Sequence, residues 1–266
     1  TERNNAAMHM NRKQFMDWPN KAITLLGMSG VGKTTLANKL PKGSWFHYSG
    51  DYRIGTKYLQ EPILDNVKRQ AMRVPFLKDL LRSDSIYLAN NITVTNLEPV
   101  SKFLGKPGSV SLAGLPIDEF KRRQTLHMRA EIEAMKDVAE FIEKTHDIYG
   151  YQHFINDAGG SICSLPDNNV LRVLTENTLI VYLKAGPEIE KELIQRAMAE
   201  PKPMFYDSDF LDEKLTEYLN QQQISSVDKM NPDLFSQWVF PLLVNYRKPL
   251  YQALADKHGY SVDAKD

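Results

Sequence analysis

Five residues in the stretch "LLGMSGVGKTTLANKLP" (25–41) have the types and spacing of a phosphate cradle. Gly27, Gly32, Lys33 and Thr34 read G-x-x-x-x-G-K-T, with Gly30 inside the loop. Glycines let a backbone turn tightly and aim several N–H groups at one anion, and a helix that follows adds its positive end. Lys33 would bridge the β- and γ-phosphates of a nucleotide, and Thr34 would place its hydroxyl on Mg²⁺. Ser29, Val31 and Thr35 complete the expected lining. "KAITLL" supplies a strand before the loop and "KTTLANKL" a helix after it, the context such a loop requires.

A nucleotide loop also needs a carboxylate to orient the metal. Asp157 in "YQHFINDAGG" ends an apolar run and suits that role; Asp51 in "WFHYSGDYR" is the second such acid. The carboxyl ends of parallel strands are where α/β proteins hold ligands. "DAGG" also fits the D-x-x-G switch of a GTPase, but no N-K-x-D follows to read guanine; "ADKH" and "VDKM" are the nearest strings.

These residues need a scaffold. Short apolar runs at 22–26, 45–48, 151–155, 178–183 and 260–262 predict strands, each separated from the next by helix-like sequence. That alternation predicts α/β architecture, a three-layer fold with a central, about five-stranded parallel sheet and helices on both faces. The clearest helix spans about 118–145, where Met128, Ile132, Met135, Ala139 and Ile142 recur at steps of three and four. "GPEIEKELIQRAMAE" and "KPLYQALADKHG" predict two more, the second capped by Gly259. The domain reading is an N-terminal extension, 1–20, and one domain, 21–266. Within it, 60–117, whose "VTNLEPVSKFLGKPGSVSLAGLP" reads as loop, and 220–245 stand as insertions that serve as lid, substrate-selecting or partner elements.

The chain has 266 residues, and its 33 Lys plus Arg equal its 33 Asp plus Glu. No global field therefore draws it to nucleic acid or an acidic membrane. Cys163 is the only cysteine, which excludes an intrachain disulfide and a CxxC zinc site, and it reads as a small buried hydrophobe. The six histidines show no paired ligand spacing. Trp45 and Trp238 read as core. Without a long apolar stretch or signal segment, the expectation is a cytoplasmic protein with no membrane partner.

The order of glycine-rich loop, strand–Asp, Gly-Gly turn, "R…KP" segment and "R-x-P-L-Y" helix resembles shikimate kinase and its relatives among the P-loop small-molecule kinases, the nucleoside-monophosphate-kinase-like group. The resemblance covers the loop to about Asp51, then 118–212, then Arg247 to the end. It implies a P-loop kinase fold with a helical lid. It implies that Asp51 activates the acceptor hydroxyl and that Gly159 and Gly160 contact the acceptor. Arg196 would be the lid arginine, followed by Lys202-Pro203. Arg247, opening Arg247-Lys248-Pro249-Leu250-Tyr251, would hold an acidic group, and Val262 and Asp263 would neighbour adenine.

Shikimate kinase is much shorter and has no counterpart of 60–117, so a different acceptor is expected. Its acid-binding Arg follows a Phe directly, whereas "DEFKRRQ" interposes Lys121. With Met128 as the centre of the buried stripe, Arg122 and Arg129 lie about 120° and 100° round from it, at the rim. Arg123 falls on the far side and is expected to be solvated. Arg122, then Arg129, is thus expected to bind the acceptor.

Together these readings predict an ATP- and Mg²⁺-dependent kinase. It would move the γ-phosphate to a hydroxyl of a small, anionic metabolite, with Lys33, Asp51 and Arg196 catalytic and Thr34 and Asp157 on the metal. Two alternatives stand beside it: a nucleotide-dependent regulatory or binding ATPase, and a kinase with a macromolecular acceptor docked by 60–117.

Overall fold

The computed structural model describes residues 10–265. The apolar runs form five strands, β1 (Ala22–Leu26), β2 (Trp45–Ser49), β3 (His153–Asp157), β4 (Leu179–Lys184) and β5 (Gly259–Asp263). They make one parallel sheet in the order β2-β3-β1-β4-β5. All five residues of the central β1 are buried, as expected of a strand covered on both faces.

The helices are α1 (Arg12–Asp17), α2 (Lys33–Lys39), α3 (Gly50–Arg53), α4 (Gln60–Ala71), α5 (Pro75–Arg82), α6 (Glu98–Leu104), α7 (Ile117–Asp147), α8 (Asn168–Asn177), α9 (Pro187–Ala199), α10 (Ser208–Gln222) and α11 (Pro232–His258). Alternation along the strands divides their side chains between two layers. Ile23, Leu25 and Ile155 pack with Ala37 of α2 and Phe15 of α1. Tyr48, Phe154 and Ile180 turn the other way, to a larger core with Ala134 and Val138 of α7, Leu174 of α8 and Tyr251 of α11. Residues 1–9 of the expected N-terminal extension lie outside the described residues.

Three readings need correction. The 60–117 segment is largely helical. Pro75 and Pro99 sit in the first turns of α5 and α6, where a missing N–H is tolerated, and Val100, Phe103 and Leu104 of α6 are buried. The 220–245 segment is not set apart from the "R-x-P-L-Y" helix. α11 runs unbroken through Pro241 and Pro249, and its first half joins α10 and Phe120 in a separate apolar cluster. Gly259 caps α11 as expected, its N–H donating to Ala255 O, but does so with extended backbone (φ −178°) because it also opens β5. A Cβ there would lie 1.9 Å from Ile180 O, so glycine is needed for the close approach of β5 to β4.

The third correction concerns α7. Its buried residues include Phe120, Ala130, Ala134, Met135 and Val138 together with Arg123, Gln124, His127 and Glu131. The inner face therefore lies one residue, about 100°, from the stripe through Met128 and Ile132. Arg123 is buried rather than solvated, and Arg122 and Arg129 are exposed.

Candidate functional site

The sheet grows in opposite directions from the parallel neighbours β1 and β3. β1 leads through α2 to the edge strand β2, whereas β3 leads through α8 to β4 on the other side. A crevice beyond the carboxyl ends of two such strands is where open α/β sheets place ligands. The loop after β1 carries Gly27 to Lys33, and the loop after β3 carries Ala158 to Ser161. They meet closely: a Cβ on Gly160 would be 3.1 Å from Ser29 N.

Gly27, Gly30 and Gly32 all have positive φ, at 144°, 84° and 110°. At Gly27 space forbids a side chain as well, since a Cβ would lie 2.8 Å from Leu183 O. At Gly32, which begins α2, the surroundings are open and the backbone angle alone favours glycine. Val31 is buried beneath the loop, whereas Ser29, Thr34 and Thr35 are exposed.

Lys33 folds back under this loop and donates from Nζ to Gly27 O (2.8 Å) and Met28 O (3.1 Å). Burial lowers its pKa, while Asp157, Asp51 and Glu131 pull it upward and Arg247 opposes them. Thr34 Oγ1 donates to Asp157 Oδ2 at 2.5 Å. The hydroxyl and carboxylate expected on a metal are thus adjacent at the mouth of the loop. Two hard oxygens suit a divalent ion that takes its other ligands from phosphates and water, as Mg²⁺ does. Among the described residues, no three His, Cys, Asp or Glu side chains form a metal cage.

Asp51 sits in the first turn of α3, just past β2. It is open to solvent, yet its pKa is raised, first by the surrounding protein and then by Asp157, with Lys33 opposing. Gly159 lies between Asp51 and Glu131: a Cβ there would be 3.5 Å from Asp51 Oδ1 and 2.5 Å from Glu131 Oε1.

Glu131 is the main residue the sequence reading missed. It is fully buried, accepts from Ser161 Oγ at 2.5 Å on Oε2, and has no hydrogen-bond partner at Oε1. Burial pushes its pKa up to about 7, with Asp51 adding to the rise and Ser161, Arg247 and Lys33 opposing. His127, one turn earlier, has Nδ1 3.9 Å from Glu131 Oε2, stacks on Phe205, and is held to a pKa of about 4 by burial and by Arg247. Arg247, 1 % exposed, donates from Nη2 to Phe205 O at 2.9 Å, while its Nε lacks a partner. Gln124 clamps the same segment, donating to Met204 O and accepting from Tyr206 N. Three unpartnered buried polar atoms, on Glu131, His127 and Arg247, thus form one cluster, and its Glu131 member faces Asp51 across Gly159. Buried polar groups are normally satisfied, so such a cluster suits a polar ligand.

The remaining expected residues divide. Arg196 reaches the loop, its Nη2 3.4 Å from Gly30 O, and Gly160 accepts from the buried Tyr251 hydroxyl. Val262 and Asp263 end β5 beside Gly186, where a Cβ on that glycine would be 3.3 Å from Asp263 Oδ2. Lys202 is exposed and pairs at 3.8 Å with Glu200. Arg122 holds Glu119 at the surface, and Arg129 also faces outward, so neither joins Arg247. Burial pushes the Cys163 thiol up to about 11, which leaves it unreactive near neutral pH.

No protein-family description matches this chain, and no curated protein matches it either. Among the described residues, no helix is long and apolar enough to cross a membrane.

Proposed function

We propose that this chain is a P-loop phosphotransferase that moves the γ-phosphate of ATP to a hydroxyl of a small, anionic acceptor. The observation that carries the proposal is the pairing of two half-sites. One is the glycine loop with Lys33, Thr34 and Asp157; the other is the buried cluster of Glu131, His127 and Arg247. Asp51 and Gly159 lie where the two meet. A nucleotide switch has use for the first half alone, whereas group transfer needs both.

Phosphoryl transfer has a loose transition state, so positioning and positive charge supply most of the catalysis. The loop amides, Lys33 and Arg196 would surround the γ-phosphate, and Asp51 would orient the acceptor hydroxyl and take its proton. Thr34 Oγ1 and Asp157 Oδ2 would hold a divalent cation, which when bound neutralises phosphate charge. Arg247 suits an acceptor carboxylate or phosphate. Glu131, neutral or ionised near pH 7, offers a donor or an acceptor to a second polar group. This reading replaces Arg122 and Arg129 with Glu131 and His127 in the acceptor half.

The test is ADP release from MgATP with and without a fractionated metabolite pool, with Lys33→Ala as blank. Acceptor-dependent ADP that the blank lacks supports the proposal. Normal turnover by Lys33→Ala contradicts it.

A further inference from the structure

His47 lies outside the roles assigned so far. It occupies β2 two residues before Ser49, and Ser49 pairs in register with Asp157 of β3. Alternation therefore puts His47 and Asp157 on the same face of the sheet, on adjacent strands and diagonal to one another. That face is covered by α2, the helix that carries Thr34. The His47 side chain is 18 % exposed, but its Nε2 atom is buried and has no hydrogen-bond partner. Nε2 stands 3.7 Å from Asp157 Oδ2, the oxygen that accepts from Thr34.

The separation is informative. It exceeds the roughly 2.7–3.2 Å of an N–H···O hydrogen bond. Two ligands each about 2.1 Å from one ion are roughly 3 Å apart when adjacent and about 4.2 Å apart when opposite. The 3.7 Å spacing falls between these, so a sub-ångström adjustment would let one ion touch both atoms.

We infer that His47 Nε2 is a third protein ligand to the divalent cation held by Thr34 Oγ1 and Asp157 Oδ2, and that it shifts the site toward a transition-metal dication of the Mn²⁺ class over Mg²⁺. The inference rests on the nucleotide reading above. An imidazole nitrogen is a softer donor than carboxylate or water, and affinity for it rises along the first-row series, whereas Mg²⁺ favours all-oxygen shells.

The test is pulsed electron paramagnetic resonance on the full chain with Mn²⁺ and a non-hydrolysable ATP analogue, for the wild type and His47→Gln. The expected wild-type spectrum shows ³¹P coupling from the nucleotide and ¹⁴N coupling from one imidazole, and His47→Gln loses only the ¹⁴N coupling. His47→Gln should also lose about tenfold or more in Mn²⁺ affinity while Mg²⁺ affinity changes little. A wild-type spectrum with ³¹P but no ¹⁴N coupling overturns the role of His47 and leaves the nucleotide site standing. ¹⁴N coupling that persists in His47→Gln also overturns it. Neither coupling in the wild type overturns both readings.

Discussion

Glu131 of α7 accepts a 2.5 Å hydrogen bond from Ser161, in the loop after β3, and its second oxygen is buried without a partner. The bond joins the longest helix to the loop that meets the glycine-rich turn. It also leads to a pH signature. Below about pH 4.5, folded and unfolded chains both hold the Glu131 proton; between there and about 7, only the folded chain does. Unfolding then releases a proton, so stability falls as pH rises through this window, by on the order of 3 kcal/mol once both states are ionised. Glu131→Gln removes this slope. Denaturant midpoints from pH 4.5 to 8 measure it, and parallel profiles for the two proteins would contradict the assignment.

Gly159→Ala tests the junction of the two half-sites. The new methyl would crowd Glu131 Oε1 and approach Asp51 Oδ1, and the three atoms nearest to it belong to these two side chains rather than to the glycine loop or Lys33. ATP affinity should stay within about twofold, whereas acceptor-dependent turnover should fall by about 100-fold, as small displacements near reacting groups do. Titration calorimetry and steady-state rates separate the two. A selective loss of ATP binding would place the junction elsewhere.

Arg247→Met retains an apolar stem and removes the guanidinium. A charge-assisted hydrogen bond contributes about 1.5–3 kcal/mol, so the acceptor KM should rise by about tenfold or more. The KM for ATP should change little. Equal rises in both would remove Arg247 from the acceptor half.

The neighbouring arginines of α7 should behave in opposite ways. Arg123 donates to Glu119, Asn66 Oδ1 and Phe103 O, and its guanidinium lies 4.9 Å from the Phe103 ring centre. Arg123→Met should destabilise the fold by about 2–3 kcal/mol, because Phe103 O loses its buried donor. Arg122→Ala removes a surface pair and should stay within about 0.5 kcal/mol. Chemical denaturation ranks the two, and the reverse order would contradict this account of α7.

That contrast shows what the sequence could and could not disclose. The strands were legible because each is an apolar run, and the loop because its glycine, lysine and threonine spacing is demanding. Asp157 was legible at a strand end. The inner face of α7 was not, because beside the crevice it is lined by Arg123, Gln124, His127 and Glu131. Hydrophobic periodicity follows apolar packing, so it settled on Met128 and Ile132, which are only partly buried. The signal available was the His-x-x-x-Glu step of His127 and Glu131, which puts both on the same side of the helix as Ala134 and Val138. His47 was hidden for a related reason, since alternation names its face but not the carboxylate diagonal to it.

The most direct measurement follows the label from γ-³²P-ATP in the presence of a metabolite extract, with Lys33→Ala as control. The account predicts label in a small anionic product, formed by the wild type and absent from the control. Label found only as inorganic phosphate, in amounts the extract does not change, would contradict transfer to an acceptor; label on a macromolecule would contradict the small-molecule acceptor.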